Sequence, residues 1–308
     1  MIMRRRIVDY SVRFALRLGW LVSFLPFKVQ RRLGKWLGAG LYHLAAPRRF
    51  VVEKNLELCF PSTARSYRRQ LAKQFFRNVG VAFIDLFWLW RVNAETLLRR
   101  IEIKNIDIFL RAKSLRLSEG KSIIVFAPHF LGLDAGGARL QLEDRLVCMY
   151  SKQAIAAIDE WIFKGRGRFN QPILVSRSEG IARLARAVRQ GVTAHFSPDM
   201  DLGRQGAVFL PFFGVTSATQ PSLIRLAHLT DAIVIPMVTR ITAIGYDIEF
   251  FDALEFPEKE SLEQGVARLH QFLEQRILET PDQYLWAHRR FKTRPEGEAA
   301  VYPPKKRR

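Results

Sequence analysis

The sequence predicts an α/β protein: a mostly parallel sheet flanked by helices, with a helical region at the N-terminus. Three observations point there. From Ile101 onward, short apolar runs of strand length alternate with segments at helical spacing, the pattern of strand–helix–strand units. The run Ile123 to Ala127 is apolar throughout and reads as a buried strand. Before residue 101 the apolar residues recur at helical spacing instead.

Taken in order, MIMRRRIVDYSVRFALRLGWLVSFLPF opens the chain. Its longest charge-free apolar segment, Leu18 to Phe27, is shorter than the ~20 residues that span a bilayer. Asp9, Arg13 and Arg17 recur every four residues and share one helix face, while Phe14, Leu18, Leu21, Val22 and Leu25 mostly cover others. Trp20 suits an interfacial anchor. Two readings stay open: an amphipathic helix in the headgroup region, or a marginal span with Arg4, Arg5 and Arg6 on the cytoplasmic side. Arg13 and Arg17 interrupt the apolar region and no small-residue cleavage site follows, which argues against a secretory signal peptide. Lys28 to Arg49 reads as a second surface-seeking helix, ended by Pro47. Val51 to Phe60 follows, with Pro61 as a break. Ser66 to Arg91 has helical spacing and closes in an aromatic cluster, Phe75, Phe76, Phe83, Phe87, Trp88 and Trp90, suited to core or to the wall of an acyl-chain pocket.

Leu110 to Leu117 reads as helix before Gly120. Further strands are expected at Arg145–Tyr150, Ile173–Val175, Val192–Ser197, Ala232–Val238 and Gly245–Phe251. Helices are expected at Ala154–Arg168, Gly180–Gln190 and Leu262–Leu278. The chain thus divides into basic amphipathic helices over 1–50, an α/β unit over 51–294, and a basic tail over 295–308 expected to be mobile.

Charge narrows the function. Lys and Arg number 49 against 29 Asp and Glu, a formal +20, so the field attracts polyanions such as nucleic acid, anionic lipid, phosphorylated substrates or acidic proteins. The 23 Phe and 6 Trp add apolar bulk that suits a membrane surface better than a duplex, and no nucleic-acid partner is expected. The hydrophobic fraction of 48% excludes a polytopic membrane protein. Cys59 and Cys148 lack metal-ligand spacing and read as reduced, buried thiols of a cytoplasm-facing protein.

Three stretches carry candidate chemistry. In SIIVFAPHFLGLDAGGARL a strand delivers His129 to its exit, with Asp134 five positions on and a helix to follow. That builds a base and an orienting carboxylate, though an ordinary strand–helix corner with Asp134 as N-cap has the same appearance. In SPDMDLGRQGAVFLPFFG, Asp199 and Asp201 leave a strand end and Arg204 follows among glycines. An Asp-x-Asp pair can hold magnesium, but no third carboxylate stands nearby; otherwise Asp199 holds an arginine while Arg204 points at an anion. In WAHRRFKTRP, Arg289, Arg290, Lys292 and Arg294 adjoin Trp286 and Phe291, giving one apolar and one phosphate-seeking face. There is no phosphate-binding Gly-Lys-Ser/Thr loop, no dinucleotide glycine fingerprint and no Gly-x-Ser-x-Gly elbow. The missing elbow argues against an enzyme serine as nucleophile, so a catalytic His would activate a hydroxyl of the substrate.

These blocks, with VVEKNLELCFP (Val51 to Pro61) and the apolar-basic N-terminus, resemble the lipid A biosynthesis acyltransferases, the late lauroyl and myristoyl transferases. That family is a branch of the lysophospholipid acyltransferase-like group, and the likeness covers nearly the whole chain. Two positions depart from its pattern: Asp134, where many members carry Glu, and Met200, where Gln is common. The resemblance implies a glycerolipid acyltransferase-like fold and transfer of a fatty acyl chain from acyl carrier protein to a hydroxyacyl chain of a phosphorylated lipid A precursor. It implies no cofactor beyond that thioester co-substrate, and a place on the cytoplasmic face of the bacterial inner membrane, peripheral or held by one N-terminal span. His129 and Asp134 are then the catalytic pair. Arg166, Arg168, Arg204, Arg289 and Arg290 are candidates for phosphate or oxyanion binding, with Asp199 as support and no metal. Acyl carrier protein, the lipid acceptor and the bilayer surface are all anionic, matching the charge. The rivals are the same fold acting on a lysophospholipid or other glycolipid, and a non-catalytic basic protein bound to membrane or nucleic acid.

Overall fold

The computed structural model describes residues 2–303, with side chains from residue 8 onward. Five helices come first: α1 (Ile2–Val22), α2 (Phe27–Leu44), α3 (Ala46–Cys59), α4 (Arg65–Leu89) and α5 (Ala94–Arg100). Then follow β1 (Ile101–Lys104), α6 (Ile106–Glu119), β2 (Ser122–Phe126), α7 (Leu133–Leu140), β3 (Leu146–Tyr150), α8 (Ala156–Arg166), β4 (Ile173–Ser176), α9 (Gly180–Arg189) and β5 (Thr193–Phe196). The last part holds a hairpin, β6 (Val208–Phe212) and β7 (Val215–Thr219), then α10 (Ser222–Thr230), β8 (Ala232–Ile241), β9 (Tyr246–Phe250) and α11 (Leu262–Glu279).

Seven strands form one sheet in the order β1-β9-β8-β2-β5-β3-β4. Neighbours run parallel except β8 and β9, which pair antiparallel. All five residues of β2 are buried, as a central strand covered on both faces requires. Ile124 and Phe126 pack on one face with Leu184, Leu223, Leu269 and Leu273 of α9, α10 and α11. Ile123 and Val125 pack on the other with Phe109 of α6, Ala135 and Ala138 of α7, and Trp88 at the end of α4. This period-2 division is what places the exit of β2 between the two helical layers.

The N-terminal helices are tied to this body by close contacts. A Cβ on Gly38 of α2 or Gly80 of α4 would collide with the facing helix backbone, so α2 and α4 touch main chain to main chain. Arg31 of α2 reaches Asp85 of α4 at 2.9 Å, and Asp85 also accepts from the Tyr246 hydroxyl of β9 at 2.7 Å. In α1 the polar pair is turned toward α8: Asp9 accepts from the Ala157 N–H at 3.0 Å and Arg13, itself exposed, reaches Glu160. Phe14, Leu18, Trp20, Leu21, Phe24 and Leu25 are left exposed. No helix among the described residues is long and apolar enough to cross a membrane. The side chains of Arg4, Arg5 and Arg6 lie outside the described residues.

Some expectations are corrected. The helix expected over Lys28–Arg49 ends at Leu44, and Pro47 sits in the first turn of α3, where its missing N–H leaves no bond unmade. Short elements without strong periodicity, α5, β1, α10 and the β6–β7 hairpin, add to those expected. The tail is docked through Tyr302, which is buried, donates to Asn55 and accepts from the Phe291 N–H at 3.2 Å. Residues 304–308 of that tail lie outside the described residues.

Candidate active site

The site forms where β2 and β5 leave the sheet. These strands are parallel neighbours with Phe126 opposite Phe196, so three residues beyond each partner come His129 and Asp199. Strands ~4.8 Å apart that exit at one level bring the two residues face to face. The Asp199 Oδ1 lies 2.7 Å from His129 Nδ1, and Oδ2 accepts the His129 backbone N–H at 3.0 Å. An ionised carboxylate can only accept, so Nδ1 carries the proton and Nε2 is left with its lone pair free. Asp199 is buried. Burial pushes its carboxyl up, but the His129 ring and the hydrogen bonds from His129 outweigh this, and the net value lies below the ordinary one. The Tyr284 hydroxyl donates to Oδ2 at 3.1 Å. Burial, followed by the adjacent Asp199, holds that phenol well above its ordinary value, so it remains a donor.

The backbone around His129 is clamped from the C-terminal side. The Leu285 N–H donates to the His129 carbonyl at 2.9 Å and the Leu131 N–H to the Gln283 carbonyl at 2.8 Å. Asn55 of α3 in turn donates to the carbonyls of Trp286 and His288 at 2.7 and 2.8 Å. The blocks around Asn55 and Trp286 are thus parts of the frame that holds the His129 loop.

Asp134 does not meet the imidazole. It stands in the first turn of α7 and takes a two-pronged bond from Arg166 at the end of α8, Nε to Oδ1 at 2.6 Å and Nη2 to Oδ2 at 3.2 Å. The charge of Asp134 raises the Arg166 guanidinium still further. Gln141 fixes the end of α8, donating to the Arg166 carbonyl at 3.0 Å and accepting from the Phe169 N–H at 3.2 Å. Helix α7 lies tight on β8 because Gly132 and Gly136 face Thr239, where a Cβ would collide.

His129, Asp134 and Arg166 line a cavity of about 700 Å³ together with Trp90, Cys148 and His195. Of the aromatic cluster at the end of α4, Trp90 alone lines this cavity; Phe75, Phe76, Phe87 and Trp88 are buried core and Phe83 is exposed. Cys148 is half-buried, and burial pushes its thiol up to about 11, so it is no nucleophile at neutral pH.

The other arginines are placed elsewhere. Arg168 donates to the carbonyls of Leu89 and Arg91 and sits over Phe169. Arg204 donates to the Arg294 carbonyl and lies over Phe209. Arg289 lies over Tyr302. Arg290, 2% exposed, is turned into the core, where it donates to the Ala218 carbonyl and the Thr219 hydroxyl. Asp199, expected to hold an arginine, holds His129 instead, and Asp201 caps its own loop by accepting from Gly203 and Thr293. Sequence reasoning missed Tyr284 and His195. Neither carried a local signal: Tyr284 precedes the basic block, and His195 occupies an unremarkable strand position.

Known proteins similar to this chain match nearly its whole length. The profile of the bacterial lipid A biosynthesis acyltransferase family matches residues 3–293. The lipid A biosynthesis palmitoleoyltransferase of Escherichia coli K12 is 30% identical over 293 residues, covering 94% of this chain and 93% of that protein. The lauroyltransferase of the same organism is 29% identical over 286 residues, covering 92% of each. Its myristoyltransferase is 26% identical over 281 residues, covering 89% of this chain and 83% of that protein.

Proposed function

This chain belongs to the bacterial lipid A biosynthesis acyltransferase family, and from that premise we propose that it moves a fatty acyl chain from acyl carrier protein to a hydroxyacyl chain of the lipid A precursor, with His129 as general base. The observation that carries the mechanism is the Asp199–His129 bond at 2.7 Å, which leaves Nε2 free on the wall of an acyl-sized cavity. The acceptor hydroxyl gives its proton to Nε2 as its oxygen attacks the thioester carbonyl. Asp199 steadies the imidazolium that forms. The tetrahedral intermediate then expels the carrier thiolate, which takes that proton back, and the ester is left on the lipid. Charge builds on the former carbonyl oxygen and needs donors. Arg166 is best placed to supply one, since Asp134 engages only its Nε and Nη2. Asp134 thus acts by holding Arg166 on the cavity wall.

The protein works on the cytoplasmic face of the inner membrane, bound to the bilayer surface. Support comes from α1, whose polar pair is spent on α8 while its apolar side chains face outward beside Arg17 and Lys28. Acidic carrier, anionic lipid and negative bilayer all suit a chain at +20.

The test is incubation of the protein and its His129→Ala variant with a series of acyl carrier protein thioesters and lipid A precursor, read by mass spectrometry. The wild type is expected to add one acyl chain in ester linkage. The variant, checked by circular dichroism for fold, is expected to lose nearly all transfer. Near-normal turnover by the variant overturns the mechanism, and acylation of lysophospholipid in place of the precursor overturns the acceptor.

A further inference from the structure

The cavity lies between two walls of different character. One is the layer of α7 and α8, which contributes Gly137, Ala138, Ile162 and Gly165. This wall is joined to α1. Trp161 of α8 packs on Phe87 and Trp90, and Gly19 of α1 lies so close to Phe87 that a Cβ would collide. Asp9 of α1 accepts from the Ala157 N–H of α8. The outward apolar side chains of α1 therefore belong to this side of the sheet. The other wall comes from the opposite layer, where α9 contributes Gly180 and Ile181 and α10 contributes Ser222. Leu202, in the loop after β5, and Gln220 complete it.

This second wall ends in a cationic rim. Arg177 lines the cavity and is exposed, and the acid nearest to it in sequence, Glu179, is engaged by Arg183 and the Ser176 N–H. Arg225, also exposed, stands one turn along α10 from Ser222. A Cβ on Gly206 would come within 3.6 Å of Gln220 and 3.8 Å of Arg225, so these two side chains share the rim. Gln220 donates to the carbonyls of Gly203 and Gln205 at 3.3 and 2.9 Å, which seats the Leu202 loop beside them. Residues 177–189 hold four arginines against one glutamate, whereas α8 has two acids and two bases. Among these cations Ile181 and Leu202 are 38% and 46% exposed, an apolar centre inside a charged border.

The two walls suit two routes of arrival. A lipid acceptor comes from the bilayer, on the side that α1 faces. A thioester borne by a water-soluble acidic protein has to reach the same cavity from elsewhere, and the rim turned away from α1 offers complementary charge. We propose that the rim formed by Arg177, Ile181, Leu202 and Arg225 is the docking surface for the acidic acyl carrier protein, which delivers its thioester arm into the cavity from this side. This rests on the reading that the donor is a carrier thioester.

The test compares the wild type with Arg177→Glu/Arg225→Glu, checked by circular dichroism for fold. The donors are dodecanoyl acyl carrier protein and dodecanoyl-pantetheine, which has the same thioester without the protein, and the acceptor is lipid A precursor. The reversal is expected to raise KM for the carrier thioester about tenfold or more with little change in kcat, and to weaken its salt dependence, because like charges then meet across the rim. Turnover of dodecanoyl-pantetheine and KM for the precursor should stay within about twofold of wild type. Arg177→Lys/Arg225→Lys should keep the carrier KM. An unchanged carrier KM overturns the inference, as does an equal loss with dodecanoyl-pantetheine. A rise in the precursor KM, or weaker co-sedimentation with anionic vesicles, in place of the carrier effect also overturns it and assigns the rim to the lipid phosphate or the bilayer. If no carrier-borne chain is transferred, the donor reading falls, and calorimetric titration with the unacylated carrier decides the surface. Binding weakened by the reversal then supports the docking site, and equal binding or none overturns it.

Discussion

At the residue scale, the reaction depends on which nitrogen of His129 carries the proton. Asp199 sets this through its bond to Nδ1, so Asp199→Asn, which lets the ring take the opposite tautomer, is expected to lower kcat by about 10³–10⁴ with little change in fold. Tyr284→Phe removes one neutral donor to the same carboxylate, worth about 0.5–1.5 kcal/mol, so steady-state assays should show a loss of no more than about tenfold. His129 could be singled out at a strand exit, but an ordinary strand–helix corner looks the same, and only the other blocks of the chain favoured a base there. Its partner could not be. The nearest acid in sequence, Asp134, turns to Arg166, while the acid that meets the ring is 70 residues away and is brought there by strand pairing.

At the scale of the element, two features set the site: the register of β2 on β5, and the seating of α7 against β8 through Gly132 and Gly136. Gly136→Val forces a side chain into Thr239, and overpacking of this kind costs typically ~1–3 kcal/mol, readable as a lower urea midpoint. The helix pair α2–α4 is anchored to β9, one strand in from the edge of the sheet, by Arg31, Asp85 and Tyr246. Asp85→Ala leaves Arg31 buried without its carboxylate and should destabilise by ~3–5 kcal/mol. A change below ~1 kcal/mol would show that solvent reaches the pair. Strands with apolar runs and most of the longer helices were readable beforehand, since periodicity needs length; the fourteen-residue α3 was not, because Pro47 in its first turn was read as the end of the helix before it. The four-residue β1 and the nine-residue α10 carry too few periods to declare themselves, and the β6–β7 hairpin fell in a stretch to which no element was assigned.

At the scale of the whole molecule, charge and titration give testable behaviour. Burial lowers His195 and His288 to about 4 and His270 to about 3, with Arg166, Lys292 and Arg290 as the respective charged neighbours that add to it. Each folded imidazole holds a proton less readily than the unfolded chain does. Its contribution is complete above ~6.5 and is lost as pH falls toward the folded value, by up to ~1.4 kcal/mol per pH unit for each ring. Asp85 opposes this: burial raises its carboxyl to about 6, so its contribution is complete below ~3.9 and declines as pH rises through 6. Three histidines outweigh one carboxyl, and Tm is expected to drop steadily from pH 6.5 to 4.5; a flat or rising Tm would contradict the placement of those rings. The outward apolar face of α1 and the net charge predict binding to anionic vesicles that weakens with salt and with Leu21→Ser/Phe24→Ser, measured by co-sedimentation. The most direct test of the mechanism is turnover of lipid A precursor by Asp199→Asn and Asp134→Asn side by side, with the pH dependence of kcat/KM recorded for both. The expected result is that Asp199→Asn loses about 10³-fold or more with a changed pH profile, whereas Asp134→Asn keeps the wild-type pH profile at a reduced rate. An Asp199→Asn enzyme that turns over at the wild-type rate with an unchanged profile would contradict it.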